Sequence, residues 1–343
     1  MYARLVTVTS TLDPQMRAAI DKMAEAGRAL GKPQSLAEAR RIGLEQRRWF
    51  NDDPPALARV EERAIPGPAR AVPVRLYVPA STGPGPSPAI VYFHGGGWFS
   101  CSNDTHDRIM RLLAIGAGAA VIGVDYCLAP EHKFPRAVRE AEAALAWVAG
   151  HAADWNLDET RLAFGGCSAG ANIALGAMLA LPDALARRYK TGALFYGAYD
   201  PNLDSESCRA FGTEGAWLSV KEMAWCWKTY LAADADRADP RAAPLRASDD
   251  ALARLPPLYL CAAGMDALRD DTIRLAARLD AAGVPHELSV RERLGHSFLG
   301  FARMVDEARA TLTDAGRFLS AAWSGQPRRV LKSAPRAATA ARS

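Results

Sequence analysis

Leu162-Ala163-Phe164-Gly165-Gly166-Cys167-Ser168-Ala169-Gly170-Ala171-Asn172 reads as an apolar strand that breaks into Gly-x-Ser-x-Gly and continues as a helix. This arrangement sets one hydroxyl at the tip of a tight strand-to-helix turn. Gly166 and Gly170 are small because a side chain at either place would collide across so sharp a bend. A helix starting just after Ser168 aims its free N–H groups and the positive end of its dipole at the same point. A pentapeptide of this kind also arises by chance, so its meaning depends on the rest of the chain.

Short apolar runs at 89–93, 119–125, 161–165, 192–196, 257–262 and 286–291 alternate with helical patterns at 105–117, 137–151, 169–181, 270–282 and 302–323. Runs apolar on both faces suit a parallel sheet with helices on each side, so the expected class is α/β with a mostly parallel central sheet. Upstream, 60–65 and 72–78 read as a meander separated by Pro66-Gly67-Pro68. Residues 13–30 and 35–50 read as two amphipathic helices. The runs at 192–196 and 257–262 are about sixty residues apart, far more than a crossover needs. That insertion carries Trp217, Trp225, Trp227 and Tyr230 in a helix-like pattern.

With 343 residues and 49% hydrophobic content, the chain can bury a large core, and one domain over 1–323 is expected. No run approaches 18 uninterrupted apolar residues, and no secretory signal is visible in the first ten residues. Cys101, Cys127, Cys167, Cys208, Cys226 and Cys261 show no metal-binding spacing. Reduced thiols in a cytoplasmic protein are the expectation. The net charge of +4 suggests an acidic partner, but its location argues otherwise. Residues 324–343 hold Arg328, Arg329, Lys332, Arg336 and Arg342 and no acid, which leaves the body at −1. This Ala/Pro/Ser-rich tail reads as disordered and solvated, and no nucleic-acid partner is expected.

In an open parallel sheet, reactive groups gather at the carboxyl ends of the strands. The run 89–93 ends in His94-Gly95-Gly96-Gly97-Trp98, whose glycines let the backbone turn N–H groups outward. Acyl transfer needs such donors for the developing oxyanion, and this segment type serves that purpose in lipases and esterases. The run 257–262 leads to Asp266. Asp270 and Asp271 follow where helix N-terminal acids are common, so capping explains them. The last run leads to Leu294-Gly295-His296. His94 reads as a brace for the glycines, His286 as a strand residue, and His106, His132 and His151 as ordinary surface or loop residues. The order Ser168, Asp266, His296 is that of an α/β-hydrolase triad. The chemistry expected is attack by Ser168, proton transfer through His296, orientation by Asp266, and an oxyanion held by the N–H groups of Gly96, Gly97 and Ala169. It calls for a small-molecule substrate and for no metal or organic cofactor.

With these residues in view, the chain resembles the hormone-sensitive-lipase-like group of α/β-hydrolases. The resemblance rests on His94-Gly95-Gly96-Gly97-Trp98, Asp125-Tyr126-Cys127-Leu128-Ala129-Pro130-Glu131-His132-Lys133-Phe134-Pro135, Gly166-Cys167-Ser168-Ala169-Gly170, Asp266-Ala267-Leu268-Arg269-Asp270 and His296-Ser297-Phe298. It implies a serine carboxylesterase acting on short acyl esters, with a helical cap over the sheet. The cap segments would be about 1–53 and 201–235, with the core at about 55–200 and 236–323. Trp98, Trp217, Trp225 and Trp227 are candidates for an apolar pocket, although a cap and core also need tryptophans. The chain departs from the family where an acid usually precedes the nucleophile (Cys167), where Arg usually follows the loop tyrosine (Cys127), and at Ala171 in place of Gly. A thiol beside Ser168 raises a cysteine nucleophile, but residue 167 is not at the apex of the turn. An amidase or lactonase on the same fold and a non-catalytic ligand receptor are the alternative functions. Retention of Ser168, Asp266 and His296 together argues against a receptor. A homodimer stays open.

Overall fold

Asp13 accepts the N–H groups of Gln15 and Met16, and Pro14 fits the first turn, so helix α1 (Pro14–Leu30) begins there. Ser35 caps α2 (Leu36–Asn51) by accepting the Glu38 N–H. The chain then runs through β1 (Arg59–Pro66), β2 (Ala71–Val78), β3 (Ser87–Phe93), α3 (Asp107–Ala117), β4 (Ala120–Val124), α4 (Arg136–His151), β5 (Leu157–Cys167), α5 (Ala169–Ala180) and a short α6 (Asp183–Ala186). It continues with β6 (Tyr189–Phe195), α7 (Glu206–Phe211), α8 (Val220–Tyr230), α9 (Asp249–Ala253), β7 (Leu258–Met265), α10 (Arg269–Ala281), β8 (His286–Gly295) and α11 (Asp306–Trp323). The computed structural model describes residues 12–83 and 85–325. The basic tail lies outside the described residues from 326 on, as do the first eleven residues of the N-terminal cap segment.

The eight strands form one sheet in the order β1-β2-β4-β3-β5-β6-β7-β8. β1/β2 and β2/β4 pair antiparallel, and every other pair is parallel. Every residue of β3 is buried, and its side chains alternate between two cores, as a period of two requires. Ala89, Val91 and Phe93 belong to the core that also holds residues of α4, α5 and α10, while Ile90 and Tyr92 belong to the core that holds residues of α3 and α11. α5 is apolar and buried almost all round, because it lies on the sheet and is itself covered by α4.

Register brings the strand ends level. Phe93 pairs with Gly166, Cys167 with Phe195, and Met265 with Gly295. His94, Ser168, Asp266 and His296 are each the first residue beyond such a strand end. Above them, α2 is tied down by Arg40, whose guanidinium donates to Phe99 O (2.7 Å) and Ala129 O (2.9 Å) and pairs with Glu131 at 2.7 Å. α8 is capped by a reciprocal Ser219/Glu222 box and joins the core where Tyr230 O accepts the Phe134 N–H at 2.8 Å.

Candidate active site

Ser168 has φ 52° and ψ −124°, a conformation that a non-glycine residue rarely adopts. The turn is held because nothing larger fits around it. A Cβ on Gly166 would come within 2.6 Å of the Gly170 carbonyl and 2.7 Å of Phe93 O, and one on Gly170 would strike the carbonyls of Phe93 and His94. The Ser168 N–H is fixed to Phe195 O at 2.9 Å.

Ser168 Oγ lies 2.8 Å from His296 Nε2, and His296 Nδ1 lies 2.7 Å from Asp266 Oδ2. All three residues are buried. A carboxylate only accepts, so Nδ1 carries the proton and Nε2 is left to accept from the hydroxyl. The other Asp266 oxygen accepts the Leu268 N–H at 3.0 Å. Asp270 and Asp271 are engaged elsewhere: Asp270 accepts the Ser207 N–H at 2.8 Å, and Asp271 accepts those of Tyr199 (2.7 Å) and Asp200 (3.1 Å). They hold the loop after β6 and the 206–211 helix, a different task from capping their own helix.

Gly96 (φ 127°) and Gly97 (φ 60°) turn the backbone beside Ser168. The N–H groups of Gly96, Gly97 and Ala169 meet no acceptor among the described residues. The Gly95 N–H, by contrast, donates to His106 Nε2 at 3.2 Å. His106 is therefore not an ordinary surface histidine: it is buried, and its Nδ1 faces Thr105 Oγ1 at 2.8 Å. Burial, then the nearby His94 and Arg47, push its imidazole well below the ordinary range, so it stays a neutral acceptor. His94 does brace the loop: its ring stacks on Tyr126 at 4.4 Å, and the Tyr126 hydroxyl donates to His94 O at 2.7 Å.

Two cavities flank Ser168, Asp266 and His296. One, of about 680 Å³, is lined by Ser168, Gly96, Gly97, Trp217, Trp225 and His296. The other, of about 460 Å³, lies behind Asp266 and His296 and shares Trp217 and Leu218 with the first. Trp217 Nε1 donates to His296 O at 2.8 Å. Trp98 does not join this wall. With φ 63° its side chain turns beneath the glycine loop, where the indole stacks on Tyr230 at 4.6 Å and donates to Asn172 Oδ1 at 3.2 Å. Trp227 is likewise core. Asn172, a lone amide in an apolar helix four residues past Ser168, was a readable signal. It also donates to Ala198 O and Ala242 O at 2.8 and 2.7 Å, anchoring the loop and the insertion to α5.

The sequence profile described as α/β hydrolase fold matches residues 90–300. Acetyl esterases of Salmonella paratyphi A and Salmonella enteritidis are 37% identical over 286 residues, covering 82% of this chain and 86% of theirs. The chain belongs to the hormone-sensitive-lipase-like esterases of the α/β-hydrolase fold. Among solved structures, an α/β hydrolase enzyme from the Lake Arreo metagenome superposes with a TM-score of 0.85 at 33% identity, covering 92% of this chain and 99% of that one. A thermostable esterase from Pseudomonas putida gives 0.84 at 30% identity, with 91% and 98% covered.

Against this family the two cysteine substitutions acquire surroundings. Cys167 sits with Tyr92 and Tyr196 in the core on the α3/α11 side of the sheet, and burial pushes its thiol up to about 11. Cys127 is also buried. Its N–H donates to Glu140 Oε2 at 2.8 Å, and Glu140 in turn pairs with Arg70 at 2.8 Å.

Proposed function

We propose that this carboxylic ester hydrolase cleaves short-acyl esters through an acyl-enzyme formed on Ser168. The observation that carries the proposal is the continuous relay from Ser168 Oγ through His296 to Asp266 at 2.8 and 2.7 Å, beside three N–H groups that meet no acceptor among the described residues. His296 Nε2 takes the hydroxyl proton as Oγ attacks the ester carbonyl, and Asp266 steadies the resulting imidazolium. The oxyanion is received by the Gly96, Gly97 and Ala169 N–H groups at the head of α5, with Gly95 held back by His106. His296 returns the proton to the leaving alcohol, and water repeats the sequence on the acyl-enzyme. α1, α2 and the 201–235 segment serve as the cap, with Trp217 and Trp225 on its apolar wall. The acetyl esterase relatives support the short acyl chain. Six free cysteines, five of them buried, favour a reducing compartment, so we read the protein as cytoplasmic.

The test is p-nitrophenyl acetate turnover by the wild type and Ser168→Ala, with a series of longer acyl chains, an amide and a lactone run alongside. Undiminished turnover by Ser168→Ala sinks the mechanism, and an optimum at long chains sinks the acyl preference.

A further inference from the structure

Arg47 stands half-buried on the wall of the Ser168 cavity, with no carboxylate among the described residues to neutralise it. Nη1 donates to Gly43 O, one turn back in α2, at 2.9 Å, and no acid pairs with it among the described residues. Arg40, on the same helix, shows the opposite case, with its guanidinium closed on Glu131. A guanidinium has five donors in a planar fork, so most of Arg47's capacity is unused.

The other charged residue on this wall, apart from His296, is Glu222. Its carboxylate is turned onto the head of α8, where Oε2 accepts from the Ser219 N–H at 2.8 Å and the Ser219 hydroxyl at 2.7 Å. The positive end of that helix partners it. The cavity thus holds one anion already engaged and one cation that is not. The charge of Arg47 reaches the glycine loop, since after burial and His94 it helps to keep His106 neutral.

We propose that Arg47 receives a carboxylate of the substrate, so that the preferred esters carry an anion on either the acyl or the alcohol part. This deepens the esterase reading above and rests on it. Arginine suits the task because its fork matches a carboxylate bidentately, and partial burial keeps the pair stronger than one in open water.

The experiment compares kcat/KM for two matched pairs: p-nitrophenyl hydrogen succinate against p-nitrophenyl butyrate, and acetylsalicylate against its methyl ester. Wild type, Arg47→Gln and Arg47→Lys are measured, with acetylcholine as the cationic probe. In at least one pair the wild type should favour the anion, and Arg47→Gln should lower the anionic-to-neutral ratio about tenfold, mainly through KM. Arg47→Lys should keep part of the preference, and salt at about 0.5 M should weaken it. The pair that responds identifies which part of the ester bears the charge. An unchanged ratio in both pairs, or a wild-type preference for acetylcholine, overturns the proposal. If the wild type turns over none of these esters, anionic or neutral, the esterase reading falls first and this inference with it.

Discussion

Asp266 gives one carboxylate oxygen to His296 Nδ1 at 2.7 Å and the other to the Leu268 N–H at 3.0 Å. Held from both sides, it dictates the tautomer of His296. Asp266→Asn should therefore lower kcat on the order of 10⁴-fold, as loss of the corresponding acid does in serine proteases. Asp270→Asn touches the Ser207 contact and the ion pair with Arg269, and should cost thermal stability with less than about a tenfold loss of kcat. Steady-state kinetics and melting curves of both variants decide the assignment, and the reverse ranking would make Asp270 the acid.

His106→Phe leaves the buried Gly95 N–H without an acceptor. An unmet buried donor costs about 1–3 kcal/mol, and here the penalty falls on the loop that carries Gly96 and Gly97. The expected result is a kcat loss of about tenfold or more, with KM much less affected. A fall in Tm with unchanged kcat would confine His106 to folding.

Trp217, with Leu218, Glu222 and His296, lies on the wall of both cavities and holds His296 O with its indole N–H. Trp217→Ala should join the cavities and move the acyl optimum towards longer chains, while Trp217→Phe should keep the partition and lose only the hydrogen bond. Chain-length profiles of both variants read this out. Coincident profiles for wild type and Trp217→Ala would show that the partition does not select.

Cys167→Ser should leave p-nitrophenyl acetate turnover within a few-fold of wild type, since burial pushes the Cys167 thiol up to about 11 and the side chain belongs to the core. Alkylating reagents should likewise spare activity in the folded enzyme. A loss matching that of Ser168→Ala would mean that the thiol reacts.

Asp271 carries a pH dependence. Burial pushes its carboxyl from the ordinary 3.8 up to about 7, although the Tyr199 and Asp200 N–H groups pull it down; Asp200 opposes them and Arg274 assists. The folded state thus holds a proton that the unfolded chain releases earlier. The resulting stability is full below the unfolded value and is lost as pH rises through about 7. Asp271→Asn, which keeps an acceptor, should flatten the decline in Tm between about pH 5 and about pH 8. A pH-independent difference between the two proteins would refute it.

The sheet was legible because its central strands are uninterrupted apolar runs between helical patterns. The misread boundaries lie where charge enters a strand. β5 begins at Leu157 rather than 161, with Thr160 and Arg161 both donating to Asp158, and β8 runs through Arg291-Glu292-Arg293 to Gly295. β8, an edge strand, tolerates such residues, and Arg291 finds Asp314 of α11 at 2.7 Å. The convergence of Ser168, Asp266 and His296 was readable because each directly follows a strand end. His106 was not, since its burial comes from His94 and the glycine loop, remote in sequence from its polar neighbours Asp104 and Asp107. Trp98 misled because sequence does not reveal a positive φ at a bulky residue. Arg47 has nothing local to set it apart from Arg41 and Arg48, which are exposed.

Ser168, the proposed nucleophile, rides at the head of α5, a helix with almost no solvent-facing side. Its contorted backbone cannot relax on its own, because relaxing means shifting the most enclosed rod in the molecule. Substitutions beneath Ile173 or Leu175, far from any ester, will therefore register as changes in turnover. In this enzyme the inner packing and the Ser168 hydroxyl form one mechanical unit, and distance from Ser168 is a poor guide to which residues matter for rate.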